Sequence, residues 1–304
     1  MASGGSAWGS RSGFILASVG FAVGLGNIWR FPYVTGENGG SAFVLIYLLC
    51  AFGIGVPILM AEFLLGRRAQ RSPPFAIAAA AQESGLSVRW SWVGNLTILT
   101  AFGILMSYAV VAGWVLYYFY LALTGEMLAS SATQAQLTFG ELLADPLTLV
   151  FWGSVALLSA ALIIAAGVQQ GIERAVKILM PTLFGLLLLL MVFNVFTGGM
   201  PQALDYLFTP DFSKVDGSTF LAALAQAFFS IGVAMAGMMM FGAYLPKTIS
   251  IAQSAVIIVA ADTAVALLAG LVIFPMVFHN HLDVGAGTGL IFQTLPVAFA
   301  RMDG

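Results

Sequence analysis

The run Gly20-Phe21-Ala22-Val23-Gly24-Leu25-Gly26-Asn27-Ile28-Trp29-Arg30-Phe31-Pro32 constrains this chain more than any other. It lies inside an apolar segment long enough to cross a bilayer, yet it carries three glycines, Asn27 and Arg30 and ends on Pro32. A glycine costs roughly 1 kcal/mol relative to Ala in a helix interior, so the run holds helical hydrogen bonds poorly. In lipid, backbone groups released by an unwound turn must find other partners. Freed carbonyls can turn to a cation and freed N–H groups to an anion. Small-residue packing between helices accounts for the glycines. It leaves Asn27 and Arg30 unexplained, and an ionisable group at membrane depth points to a functional site.

The rest of the chain is apolar enough for that argument to apply. Of 304 residues, 60% are hydrophobic and 8% charged, with mean hydropathy +0.99. Soluble domains carry about 25% charged residues, so this is a polytopic helical membrane protein. The net charge of −2 argues against a nucleic-acid partner. Cys50, the one cysteine, allows no disulfide framework. The N-terminus lacks the charge pattern and small-residue cleavage site of a signal peptide.

Seven spans can be drawn near the ~20 residues that a bilayer requires. They cover residues 13–34, 41–66, 91–124, 147–167, 178–197, 220–245 and 251–278. Arg67, Arg68, Arg71 and Arg89 fall in one loop, Arg174 and Lys177 in another, and Lys247 follows the sixth span. Glu126, Glu141, Asp145, Asp205, Asp211 and Asp216 fall in the opposite loops, with Lys214 the main exception. The positive-inside rule then makes the N-terminus cytoplasmic and the protein a multi-pass resident of the cell inner membrane. The outer segment 124–146 is expected to hold short helical pieces, and residues 291–296 a short amphipathic or re-entrant piece.

The sixth span repeats the anomaly of the first. In Ala227-Phe228-Phe229-Ser230-Ile231-Gly232-Val233-Ala234-Met235-Ala236-Gly237 a serine and small residues interrupt an apolar helix. A serine bonding back to its own helix is a common alternative. Two broken spans at corresponding places suggest an inverted repeat with a site at its interface. In the seventh span Asp262 lies among Val, Ile and Ala. A lone buried carboxylate must be protonated or paired with a cation. Hard cations such as sodium take carboxylate, amide, hydroxyl and carbonyl oxygens. Asp262, Asn27, Ser230 and the Ala22 carbonyl form one such set from three helices; a proton relay through Asp262 is the competing reading.

Other polar residues read more simply. Glu62 and Glu37 can each accept hydrogen bonds from freed N–H groups. Glu173, Arg174 and Lys177 read as a solvated cytoplasmic face. Gly171 and Pro181 bracket the start of the fifth span and mark either an unwinding end or a loop and kink. His279 and His281 have no partner cluster that would make a metal site. No nucleophile–base pairing, P-loop or dinucleotide fingerprint is present, which argues against an enzyme.

At these residues the sequence closely resembles the neurotransmitter:sodium symporter family, especially its bacterial amino-acid transporters of the leucine-transporter type. The resemblance rests on residues 8–11, the Gly20–Pro32 string and Glu37-Asn38-Gly39-Gly40. Further matches are Glu62 before Gly66-Arg67, Gly171-Ile172-Glu173-Arg174 leading to Met180-Pro181-Thr182, Phe228-Phe229-Ser230, and Thr294-Leu295-Pro296. It implies an all-α inverted-repeat bundle with helices one and six broken at mid-membrane. The divisions it implies are a cytoplasmic segment 1–12, a first repeat of helices one to five over 13–197, the start of a second repeat over 198–278, and an extracellular loop 279–304. Family members have about twelve spans, so the resemblance implies a chain truncated after its seventh helix.

The resemblance also implies function and site roles. The function is sodium-coupled symport of a hydrophobic or aromatic α-amino acid by alternating access; a sodium-dependent binding or sensor protein of the same fold is the alternative. Sodium site one would use Ala22, Asn27, Ser230 and Asp262, where many members have Asn in place of Asp262. Sodium site two would use Gly20 and Val23 with groups from a later helix. Tyr47, Gln226 and Ser230 match chloride-site positions, and the Asp262 charge implies that chloride is not required. Gly24, where monoamine transporters have Asp, suits a substrate that brings its own carboxylate. That carboxylate would meet sodium, the Leu25 and Gly26 N–H groups and the Tyr108 hydroxyl, with Phe229 over the substrate. Ile104, Phe229, Gly232 and Met235 would form the side-chain pocket beside Ser230. Arg30 and Phe31 would face the outer vestibule. Where many members carry an Arg a few residues before Trp8, this chain has Gly4-Gly5. The expected partners are an amino acid and the lipid bilayer, with a homodimer left open.

Overall fold

The computed structural model describes Trp8 and residues 10–126, 132–281, 283–285, 291, 292 and 296. Gly4-Gly5, the Thr294-Leu295 pair and most of the expected loop 279–304 lie outside the described residues. Every regular element among the described residues is helical. In chain order these are α1 (Arg11–Ala22), α2 (Gly26–Glu37), α3 (Ser41–Ala69), α4 (Pro73–Glu83), α5 (Val88–Thr124) and α6 (Ala132–Ala144). They continue as α7 (Pro146–Ala165), α8 (Val168–Phe196), α9 (Met200–Phe208), α10 (Gly217–Ile231), α11 (Gly237–Ala243) and α12 (Ile251–His279).

Five of these helices (α3, α5, α7, α8 and α12) are long and apolar enough to cross a membrane, and α1 with α2 makes a sixth span bent by 46°. The first span is therefore broken at Val23–Leu25, inside the glycine-rich run. The shorter apolar helix α10 and the short α11 are separated by the interruption over residues 232–236. The sequence draws 220–245 as one span interrupted at its small residues, and the chain leaves the helix at Gly232 (φ 74°) and holds Ala234 and Ala236 at φ 63°. Left-handed φ is unfavourable for a residue with a Cβ and marks backbone held by its surroundings. One such restraint is Glu62, whose Oε1 accepts the Ala234 N–H at 2.6 Å.

Termini follow local chemistry. Asp145 accepts the Leu147 and Thr148 N–H groups ahead of Pro146, which opens α7. Asp216 and Thr219 form a reciprocal capping box that starts α10. Outside the membrane, the hydrogen bond from the Thr148 hydroxyl holds the Asp145 carboxyl below the usual range, and that from Ser218 does the same for Asp216.

Helix α12 forms the axis of the bundle, with 56% of its apolar window buried, whereas α7 has none of its window buried. Against this axis pack α1, α2, α3, α8 and α9. Close crossings occur where side chains are missing: a Cβ on Gly66 of α3 would lie 1.9 Å from the Met239 carbonyl oxygen of α11. Asn194 of α8 donates to the Val272 carbonyl at 2.6 Å and reaches toward that of Leu271. Pro275 lies four residues beyond Leu271 inside α12 and has no N–H for that carbonyl, so α12 lacks one rung beside the Asn194 contact.

Two sequence expectations are corrected here. The fifth span begins at Val168 rather than Ile178, as a π-turn over Val168–Glu173, and runs on through Pro181. Glu173 is buried rather than solvated. Its carboxylate lies against Gly13 of α1, where a Cβ would be 2.1 Å away, and takes Lys177 as partner at 2.8 Å. The helix expected in the outer segment is α6, and Ile291 and Phe292 are helical, with Phe292 packed on Phe139 and Trp114.

Candidate functional site

The two interrupted spans meet α12 and α5 at mid-bundle. Because α2 opens as a π-turn over Gly26–Arg30, Asn27 points inward and is fully buried. Its side-chain Nδ2 donates to Asp262 Oδ1 at 2.8 Å, to the Asp262 carbonyl at 2.9 Å and to Ser230 Oγ at 3.1 Å. Ser230, in the last turn of α10, donates to Asp262 Oδ2 at 2.8 Å. Asn27 Oδ1 accepts the Gly24 N–H released by the break. The side chains of Asn27, Ser230 and Asp262 thus come together from three elements.

Asp262 is completely buried, and no cationic side chain pairs with it among the described residues. The Tyr47 hydroxyl of α3 is buried beside Asp262, Ser230 and Thr263. A buried carboxylate ringed by hydroxyls and an amide is a hard-oxygen set of the kind that suits a small alkali cation. It needs either that cation or a proton to be neutral.

Ala22 ends α1, is buried and lines the adjoining cavity. Gly20 sits within α1 against Val176 and Met180, and Val23 is buried at the break. No hydrogen bond links either of them to the Asp262 cluster among the described residues.

Beside the cluster is a cavity of about 250 Å³. The sequence-derived pocket residues Ile104, Tyr108, Phe229, Gly232 and Met235 all line it, as does Gly24, where a Cβ would meet nothing within 4 Å. Gly26 stands behind Phe229, with its N–H beside the Tyr108 hydroxyl and its carbonyl accepting from Gln226. Leu25 packs in a separate cluster with Trp29, Trp114 and Tyr118. Three lining residues escape sequence reasoning: Phe21, Ala101 and Leu105. Their spacing would have revealed them. Phe21 is one turn before Gly24, and Ala101 and Leu105 share a helix face with Ile104 and Tyr108.

Arg30 lies over the Phe229 ring, 4.8 Å from its centroid, and donates to Gln226 Oε1. Phe31 does not face an outer vestibule. The π-turn rotates it into the core, where it is fully buried against Tyr47 and Phe43.

Comparison with known proteins gives the family. The profile of the sodium:neurotransmitter symporter family matches residues 5–141 and 143–303. An uncharacterized sodium-dependent transporter of Bacillus subtilis, YhdH, is 37% identical over 97% of this chain and 64% of its own length. A sodium-dependent neutral amino acid transporter of Bos taurus, B(0)AT2, is 27% identical over 88% of this chain and 40% of its own. The crystal structure of MhsT in complex with L-phenylalanine superposes with a TM-score of 0.91 at 41% identity, covering 98% of this chain and 67% of that one. The chain therefore spans about two thirds of the length of these bacterial relatives. The family is one of secondary transporters rather than enzymes, and the chain belongs to it: this is a member of the sodium:neurotransmitter symporter family.

Proposed function

We propose that this chain supplies the substrate and first sodium site of a sodium-coupled symporter for hydrophobic or aromatic α-amino acids. One observation carries the reading: an uncompensated, fully buried Asp262, bonded to Asn27 and Ser230, adjoins an apolar cavity of amino-acid size. Sodium as cargo would take oxygens from Asp262, Asn27 and Ser230, with the Ala22 carbonyl and the substrate carboxylate completing the shell. Asn27 would give up its present bonds to Asp262 as its amide turns, and the ion would replace them. The α-amino acid would present its carboxylate to the Tyr108 hydroxyl and the N–H groups of Leu25 and Gly26. Its side chain would lie among Ile104, Phe229, Gly232 and Met235, a largely apolar lining that favours a large aliphatic or aromatic group. That MhsT binds L-phenylalanine supports the aromatic end of this range.

Gly20 and Val23 would contribute carbonyls to a second sodium site completed by later helices. Arg30 over Phe229 acts as the outer closure. With a carboxylate already at the site, chloride is not required. The N-terminus lies in the cytoplasm of the inner membrane, on the side of Arg67, Arg68, Arg71 and Arg89. Reconstitution in proteoliposomes tests the coupling: an inward sodium gradient drives uptake of labelled L-phenylalanine, and a choline gradient does not. Binding without gradient-driven flux would instead support a binding or sensor protein.

A further inference from the structure

The segment between α3 and the membrane-crossing part of α5 combines exposed cations with exposed apolar surface. Arg67, Arg68, Arg71 and Arg89 face only one acidic residue there, Glu83, which pairs with Arg68. Arg67 is held by the Ile249 carbonyl at 2.7 Å. Arg71 and Arg89 are exposed and form no ion pair among the described residues. Around them Phe75, Leu86, Trp90 and Trp92 are each at least half exposed. The two arginines are fixed to the same end of the bundle. Arg71 leads into Pro73–Pro74, Arg89 leads into Gly94, and these meet so closely that a Cβ on Gly94 would lie 2.5 Å from Pro74.

Helix geometry gives the depth of this patch independently. From Trp92, Tyr117 lies about 25 residues further along α5, or ~38 Å at 1.5 Å per residue. There Tyr117 and Tyr120 pack on Trp152 of α7, at 6.4 and 5.6 Å between ring centroids. Tryptophan and tyrosine concentrate at the two membrane–water interfaces, and a bilayer with its headgroups is ≈ 40–45 Å thick. The two aromatic sets therefore match the two headgroup levels. Trp90 and Trp92 sit at one of them, and Arg71 and Arg89 share that level.

We infer that Arg71 and Arg89, flanked by Trp90 and Trp92, form a binding surface for the headgroups of anionic phospholipids. The guanidinium groups take the phosphates, and the indole rings lie at the boundary with the acyl chains. The assignment depends on charge and depth, not on which leaflet is cytoplasmic. It is independent of the transport reading.

The test is native mass spectrometry of the full chain in neutral detergent, offered equal amounts of phosphatidylglycerol and phosphatidylcholine. The wild type is expected to retain phosphatidylglycerol preferentially. Each exposed arginine should contribute about fivefold and the pair about 25-fold, so R71Q/R89Q should lose most of the preference. Arg68→Gln, whose charge is already paired, should lose less. Equal retention of the two lipids by wild type would overturn the assignment, whatever the variants do. So would an unchanged preference in R71Q/R89Q.

Discussion

Asn27 and Asp262 stand 235 residues apart in sequence and 2.8 Å apart in space, the Asn27 amide donating to the Asp262 carboxylate. The bond ties the break in the first span to the bundle's central helix. It also shows how a carboxylate is held inside the bundle without an arginine or lysine: three hydrogen bonds from two neighbours share its two oxygens and carbonyl.

Replacing Asp262 with Asn keeps the size and removes the charge. Wild-type substrate binding should be unchanged when gluconate replaces chloride. The D262N protein should bind weakly in gluconate and regain affinity in chloride, an anion then sitting beside Tyr47, Ser230 and Gln226. Isothermal titration in the two salts measures this; a wild type that needs chloride would contradict it.

Gly24 faces open cavity, so a side chain there should fill substrate space without disturbing the fold. Gly24→Leu is expected to keep the melting temperature within a few degrees and weaken amino-acid binding by at least tenfold. Unaltered affinity in the folded variant would show that the cavity is not where substrate sits, and loss of folding would contradict the open space at position 24.

Glu62 anchors the second break through the Ala234 N–H. Glu62→Ala leaves that buried donor unmatched and should cost about 1–3 kcal/mol, whereas Glu62→Gln retains an acceptor and should cost less. Thermal unfolding of both variants in the same detergent checks the order.

At the aqueous ends, Asp145 and Asp216 have carboxyls held below their usual range by hydrogen bonds from Thr148 and Ser218. Since the folded-state value is the lower one, their contribution is present above the unfolded value near 3.9 and is lost as pH falls through the depressed value. Asp216→Ala should therefore lower the melting temperature at pH 7 and have little effect at the most acid pH at which the protein stays folded.

Much of this was legible in the sequence because membranes restrict the choices. Apolar length marked the spans, and glycines beside Asn27 and Ser230 marked both interruptions. Asp262 announced itself by being a charge in lipid. Helix rotation was not legible. Phe31 adjoins Arg30 in sequence, but the π-turn sends it into the core, a local change of pitch that no residue type specifies. Glu173 looked solvated beside Arg174 and Lys177. Its burial depends on Gly13, 160 positions earlier, whose missing side chain leaves room for the carboxylate. Phe21, Ala101 and Leu105 follow from helical periodicity once one member of each face is known. That knowledge comes only when the cavity is seen.

The measurement that bears most directly on the site is equilibrium binding of labelled L-phenylalanine in sodium and in choline, to wild type and to Asp262→Ala, with folding of both verified by their melting curves. The account predicts binding by wild type in sodium only, and none by the variant in either salt. Equal binding in choline, or full sodium-dependent binding by the variant, would show that Asp262 is not part of the cation site.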